Sequence, residues 1–224
     1  MTRAIEQVGW LVLKDLRIEA RARQTIGLVV VLGILIVTVL GLSLGTQEAS
    51  GPAATGVLWA AYLFSGVLCF EKTMAWERQD GALIGLLLAP VDHGILYLSK
   101  LTANLAMMLA VCAVVTPVAI LFFHFDLSAA PFGFLAIVAL SMLGFAAVGT
   151  LFAAVVSSSR LQGGLLALVV FPLTLPLVIA STRMMLGLYQ DAQPFTGAAF
   201  AVLLAFDVVF LVVSWLAFEW VIEP

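Results

Sequence analysis

From Thr25 to Leu44 the chain runs for about twenty residues without a charged side chain, the length of helix that crosses roughly 30 Å of hydrocarbon. Inside lipid no water is available to the backbone, so such a segment folds as a helix that bonds its own peptide groups. Five further windows, bounded by charges and turn residues, repeat the pattern: Ala54 to Phe70, Leu101 to Phe123, Phe132 to Val156, Leu161 to Ser181 and Gly197 to Val221. The expected fold is all-α, a polytopic integral membrane protein with six transmembrane helices. Hydrophobic residues make up 63% of the chain and charged ones 10%, against about a quarter charged in soluble domains. A chain of 224 residues has no room for an ordinary soluble domain beside six spans. One membrane domain over residues 1–224 is expected.

Ahead of the first span, Thr2 to Arg23 alternates charge with apolar residues at Ile5, Val8, Val12 and Leu16. Steps of three and four residues predict an amphipathic helix. Its basic polar face and Trp10 suit a helix lying in the headgroup plane; packing against a partner is the alternative. The first apolar run is full length, so a retained span is expected rather than a signal h-region.

Orientation follows from the basic residues. With the amino terminus inside, Arg3, Lys14, Arg17, Arg21 and Arg23, then Lys72, Arg78 and Lys100, then Arg160 all fall on the cytoplasmic side, and only Arg183 falls outside. That asymmetry is what the positive-inside rule predicts. Both termini are expected in the cytoplasm. So is the one substantial polar block, Glu71 to Lys100.

Within that block, Ala82 to Ala89 is apolar but too short to span. Asp80 is placed as an N-cap, Pro90 stops the short helix, and Asp92 is placed to cap the helix leading into the third span. Tied to two membrane helices, this segment suits a lever. Leu83, Leu86 and Leu87 would seat in a partner groove, with Glu77, Arg78 and Asp80 on the rim; simple anchoring of the loop to lipid is the plainer alternative.

Catalytic signatures are missing: there is no GxxxxGK[ST] loop, HExxH or GxSxG, and no span holds paired carboxylates deep in its apolar core. A non-catalytic membrane subunit is expected. Cys69 and Cys112 lie in apolar runs without metal or redox spacing and read as small core residues. His93 and His124 read as interfacial polar residues, with ligand binding at His124 as the lesser alternative. Asp207 is the one charge in the middle of a span. Either it has a function, or it fastens the sixth helix to a neighbour such as Asn104 or Ser141. Pro172 and Pro176 predict a kink or break in the fifth span. Gly41 and Gly45 form a single GxxxG, weak ground for a dimer. The sequence pI near 5.3 gives no sign of a nucleic-acid surface.

Several blocks together resemble a known family. Lys14-Asp15-Leu16-Arg17 with Glu19 and Arg21, Asp80-Gly81-Ala82-Leu83 with Gly85-Leu86-Leu87-Leu88-Ala89-Pro90, Leu98-Ser99-Lys100 with Ala103-Asn104, and Ala205-Phe206-Asp207 with Phe218-Glu219-Trp220-Val221 look like the haem exporter protein B (CcmB) family, the permease subunit of the cytochrome c maturation ABC transporter. The resemblance covers essentially the whole chain.

It implies a homodimeric permease in the bacterial inner membrane, working with a CcmA-like cytoplasmic ATPase, CcmC-like and CcmD-like haem-handling subunits and a periplasmic haem chaperone. It implies no tightly bound cofactor, haem as a substrate, and ATP acting only through the ATPase. Residues 1–23 would be an elbow helix and residues 71–100 would carry the coupling helix, with Glu77, Arg78, Asp80, Gly81, Leu83, Ile84, Gly85, Leu86, Leu87 and Pro90 at the ATPase contact. Members commonly carry a Glu where this chain has Ile84, which implies a polar contact that is absent or replaced by an apolar one. Arg183 to Gln193 would form the outer gate region. The alternatives are an ABC permease for a lipid or drug, and a secondary transporter that uses Asp207.

Overall fold

The computed structural model describes residues 2–22, 24–44, 51–79, 92–123, 130–158, 164–190 and 197–222. The described residues form seven helices and no strands: α1 (Thr2–Ala22), α2 (Gln24–Leu44), α3 (Pro52–Gln79), α4 (His93–Phe123), α5 (Pro131–Ser158), α6 (Leu165–Gln190) and α7 (Ala198–Ile222). All but α1 are long and apolar enough to cross a membrane. The chain is an all-helical polytopic membrane protein with six candidate spans.

Contacts fix the alternation of direction. At one end the start of α4 meets α1, the last turns of α3 and the later turns of α5 and α7: Lys100 with Asp15, Asn104 with Thr73 and Thr150, Tyr97 with Phe218. At the opposite end a methyl at Gly41 of α2 would stand 3.3 Å from Phe122 of α4, and one at Gly133 of α5 would stand 2.8 Å from Leu188 of α6. The six long helices therefore run up and down.

The centre of the bundle is α3 and α5. Of their most apolar windows 67% and 72% is buried, against 17% for α2 and 22% for α7. Lipid is as apolar as the helix surfaces, so close backbone approach rather than water exclusion holds such a pair together. Here two glycines allow it. The Phe145 ring lies over Gly66 of α3 and the Phe70 ring over Gly149 of α5, each occupying space that a Cβ would need. The two rings meet with centroids 5.2 Å apart, within the range of favourable aromatic pairs.

Helix ends depart from the sequence reading in two places. Polar residues from Glu71 onward suggested a surface block, yet α3 continues to Gln79 and α4 begins at His93. The span helices simply run on past the apolar windows. Likewise the fifth apolar window closes at Ser181, yet α6 runs unbroken through Pro172 and Pro176 to Gln190. Met185 is buried and Leu188 packs on Gly133, so apolar contacts carry the helix beyond its polar residues. Around the prolines, Thr174 donates its hydroxyl to the Val170 carbonyl at 2.9 Å. Gly41 faces α4 of the same chain, which leaves it no free small-residue face.

The glycine seats give a direct test. Gly66→Leu or Gly149→Leu should destabilise the detergent-solubilised protein by about 1–3 kcal/mol through overpacking. Gly56→Ala, at a site with nothing within 4 Å, should leave the thermal midpoint unchanged.

Candidate functional site

From Leu96 to Asn104 most of α4 is buried, with Leu98 and Thr102 on its exposed side. Leu96, Tyr97, Ser99, Lys100, Leu101, Ala103 and Asn104 are all buried, although this stretch directly follows the polar segment in sequence. The loose backbone groups at the start of α4 are satisfied locally. Asp92 does this as the sequence predicts: its Oδ1 accepts from the Gly94 amide at 2.7 Å, and its carbonyl accepts from Leu96 at 3.0 Å.

Three contacts then fasten these turns to their neighbours. At Gly94 the Trp215 indole of α7 fills the space a Cβ would take. One turn on, Tyr97 packs against Phe218 with centroids 5.1 Å apart and donates to the Ala147 carbonyl of α5 at 3.4 Å. Next, Lys100 Nζ donates to Asp15 Oδ2 of α1 at 2.6 Å, and Lys14 Nζ lies 2.9 Å from Asp15 Oδ1. Side-chain exposure at this pair is only 11% for Lys100 and 15% for Asp15, so water screens it weakly.

One turn deeper, Asn104 joins three helices. Its Nδ2 donates to Thr150 of α5 at 2.9 Å, and its Oδ1 accepts from Thr73 of α3 at 3.2 Å. Asn104 and Thr150 are both buried. Hydrogen bonds between membrane helices contribute about 0.6 kcal/mol each on average, so the network positions the helices more than it stabilises them. Both helices that bracket the polar segment, α3 and α4, are thereby pinned together, and α4 is pinned to α1.

Of the residues expected at the contact with a partner, Glu77 and Arg78 lie in the last turns of α3. Asp80, Gly81, Leu83, Ile84, Gly85, Leu86, Leu87 and Pro90 lie outside the described residues, as does His124. Pro172 and Pro176 are inside α6. Asp207 is 3% exposed. Neither suggested fastener reaches it: Asn104 bonds Thr73 and Thr150, and Ser141 shares a 2.6 Å hydrogen bond with Ser181. Cys69 and Cys112 are buried free thiols. Among the described residues no three His, Cys, Asp or Glu side chains cluster in a way that could hold a metal ion.

Sequence reasoning missed the Asp15–Lys100 pair, whose partners are 85 residues apart. Lys100 counted there as a cytoplasmic charge and as part of a resembling block, not as a partner of Asp15.

The class so defined is a polytopic membrane protein with an amphipathic amino-terminal helix fastened to its bundle through Asp15 and Lys100. Among known families, the model described as CcmB protein matches residues 7–223, and the chain belongs to that family. It is also similar to the heme exporter protein B of Paracoccus denitrificans (strain Pd 1222), with 30% identity over 195 residues, covering 85% of this chain and 87% of the relative.

A double-mutant cycle tests the clamp between α1 and α4. Asp15→Asn and Lys100→Met should show a coupling energy of about 1.5–3 kcal/mol, the range for hydrogen bonds to charged groups, read from thermal unfolding in detergent. A coupling below about 0.5 kcal/mol would class the pair with exposed surface bridges.

Proposed function

We propose that this chain is the membrane permease subunit of an ABC transporter serving cytochrome c maturation. It couples ATP hydrolysis by a separate CcmA-like ATPase to haem export or to release of the haem-loaded periplasmic chaperone. Family membership and the likeness to a heme exporter protein B support this reading. The chain itself is non-catalytic on this reading, and haem is cargo rather than a resident cofactor.

The observation that carries the mechanism is the fastening of the early turns of α4 to its neighbours. Residues 80–91 connect α3 to α4, whose adjoining turns are pinned to each other through Thr73, Asn104 and Thr150. A push on the segment between them would reach both helices together, and α1 through Asp15. On this reading Glu71 to Pro90 carries the coupling helix over Ala82 to Ala89, with Leu83, Leu86 and Leu87 seated in the ATPase and Ile84 making an apolar contact. Closure of two ATPase subunits would then reorient a permease homodimer. Trp10, 71% exposed on α1, suits a helix resting at the headgroups with both termini in the cytoplasm. CcmC-like and CcmD-like subunits would complete the assembly in the inner membrane.

Leu86→Asp and Gly85→Trp should reduce ATP hydrolysis of the reconstituted complex to the level of the ATPase alone, with membrane insertion unchanged. Stimulated hydrolysis that survives both substitutions would remove residues 80–90 from the coupling path.

A further inference from the structure

The middle of the bundle holds one carboxyl with no polar contact. Asp207 is 3% exposed, and neither of its oxygens has a hydrogen-bond partner among the described residues. Its place in the fold is specific. Asp207 lies near the midpoint of α7, and its Oδ1 rests on the bare backbone of Gly144, near the midpoint of α5, in space a Cβ would occupy. The Leu177 side chain, from the middle of α6, and Phe206 close the same spot, each within 3.1 Å of where that Cβ would stand. Three helix centres thus converge on one acidic group.

Among the described residues the surroundings supply no countercharge. Helix α5 carries no titratable residue along its whole length. From α6 the residue facing the site is Leu177; the only charge on that helix, Arg183, is exposed six residues further on. From α4, Tyr97 meets α7 at Phe218, about three turns from Asp207, and His93 and Lys100 lie at that same end. On α7 itself Glu219 is exposed and twelve residues away.

An ionised carboxylate buried within a span, with no hydrogen-bond donor or countercharge beside it among the described residues, is far costlier than the neutral acid. We propose that Asp207 is a proton-binding site at the centre of the span, occupied while α7 is seated on Gly144. Binding forms one O–H bond on the carboxyl, and the proton comes from water and returns to it. Release leaves a carboxylate that must reach water, so the proton leaves only when α7 separates from α5. Proton occupancy and the packing of these two helices are then linked equilibria. This site stands independently of the ATPase-coupling reading, because it concerns a different part of the bundle and a different ligand.

Infrared spectroscopy of the full chain in lipid bilayers at neutral pH tests it. Exposed carboxyls are ionised there, so a protonated-acid C=O band reports a shielded group. The unaltered chain should show such a band and Asp207→Asn should lose it; if the amide variant fails to insert, Asp207→Leu supplies the same subtraction. Gly144→Ala, which puts a methyl where Oδ1 rests, should move the band to lower frequency as the acid gains bonds to water. Absence of the band in the unaltered chain would overturn the proposal. A band abolished by sodium at constant pH would assign the site to a metal cation instead, and an unchanged band in Gly144→Ala would remove the seat.

Discussion

Hydrocarbon on all sides is the condition on which the structure depends. It removes the water that drives helices together in soluble proteins, and what remains is close packing and a small number of interhelical hydrogen bonds. Two aromatic residues on glycine seats supply the first at the bundle's centre: Phe145 over Gly66 and Phe70 over Gly149. Because each ring lies across the partner helix's backbone, α3 and α5 cannot slide without moving a ring out of its seat. The other helices pack around this pair. Their outer faces stay apolar and exposed, as at Leu28, Val31 and Leu35 on α2 and Val208, Val209 and Val212 on α7, which suits contact with lipid chains.

Against that apolar background the polar contacts are informative by position. Asn104, Thr73 and Thr150 form a satisfied trio close to the start of α4, and Asp15 with Lys100 extends the fastening to α1. Each is a directional contact with few alternative partners nearby, so each fixes a helix rotation as well as a distance. The early part of α4 is thus fastened to three helices at once. On the proposed reading this is where force arrives, and a lever works only if its attachment does not bend.

Much of this architecture could be read from the residues. Six uncharged or nearly uncharged windows predicted the six long helices, because length and hydropathy alone decide which helices can span. Asp92 was legible as a cap, since capping is local chemistry spanning two residues. Helix ends were not legible where polar residues continue a buried helix: α3 passes Glu71 and Lys72, and α6 passes Arg183. There tertiary contacts such as Leu188 on Gly133 outweigh the local polarity. The Asp15–Lys100 pair and the Gly144 seat depend on segments distant in sequence being brought together, and no local pattern encodes that. Asp207 was conspicuous as a charge within a span, but its lack of any fastener is visible only in three dimensions.

The contrast between Asn104 and Asp207 carries the argument one step further. Both are buried polar side chains in candidate spans, yet one is bonded to two helices and the other to none. A satisfied network near a helix end resists separation, because parting the helices strands donors and acceptors in hydrocarbon. At an unsatisfied carboxyl the preference reverses, since separation that admits water solvates the group rather than orphaning it. Parting α5 from α7 at this point strands no hydrogen bond of Asp207. Parting the helices at the Thr73–Asn104–Thr150 junction strands two. The two buried groups thus answer helix separation with opposite signs of free energy.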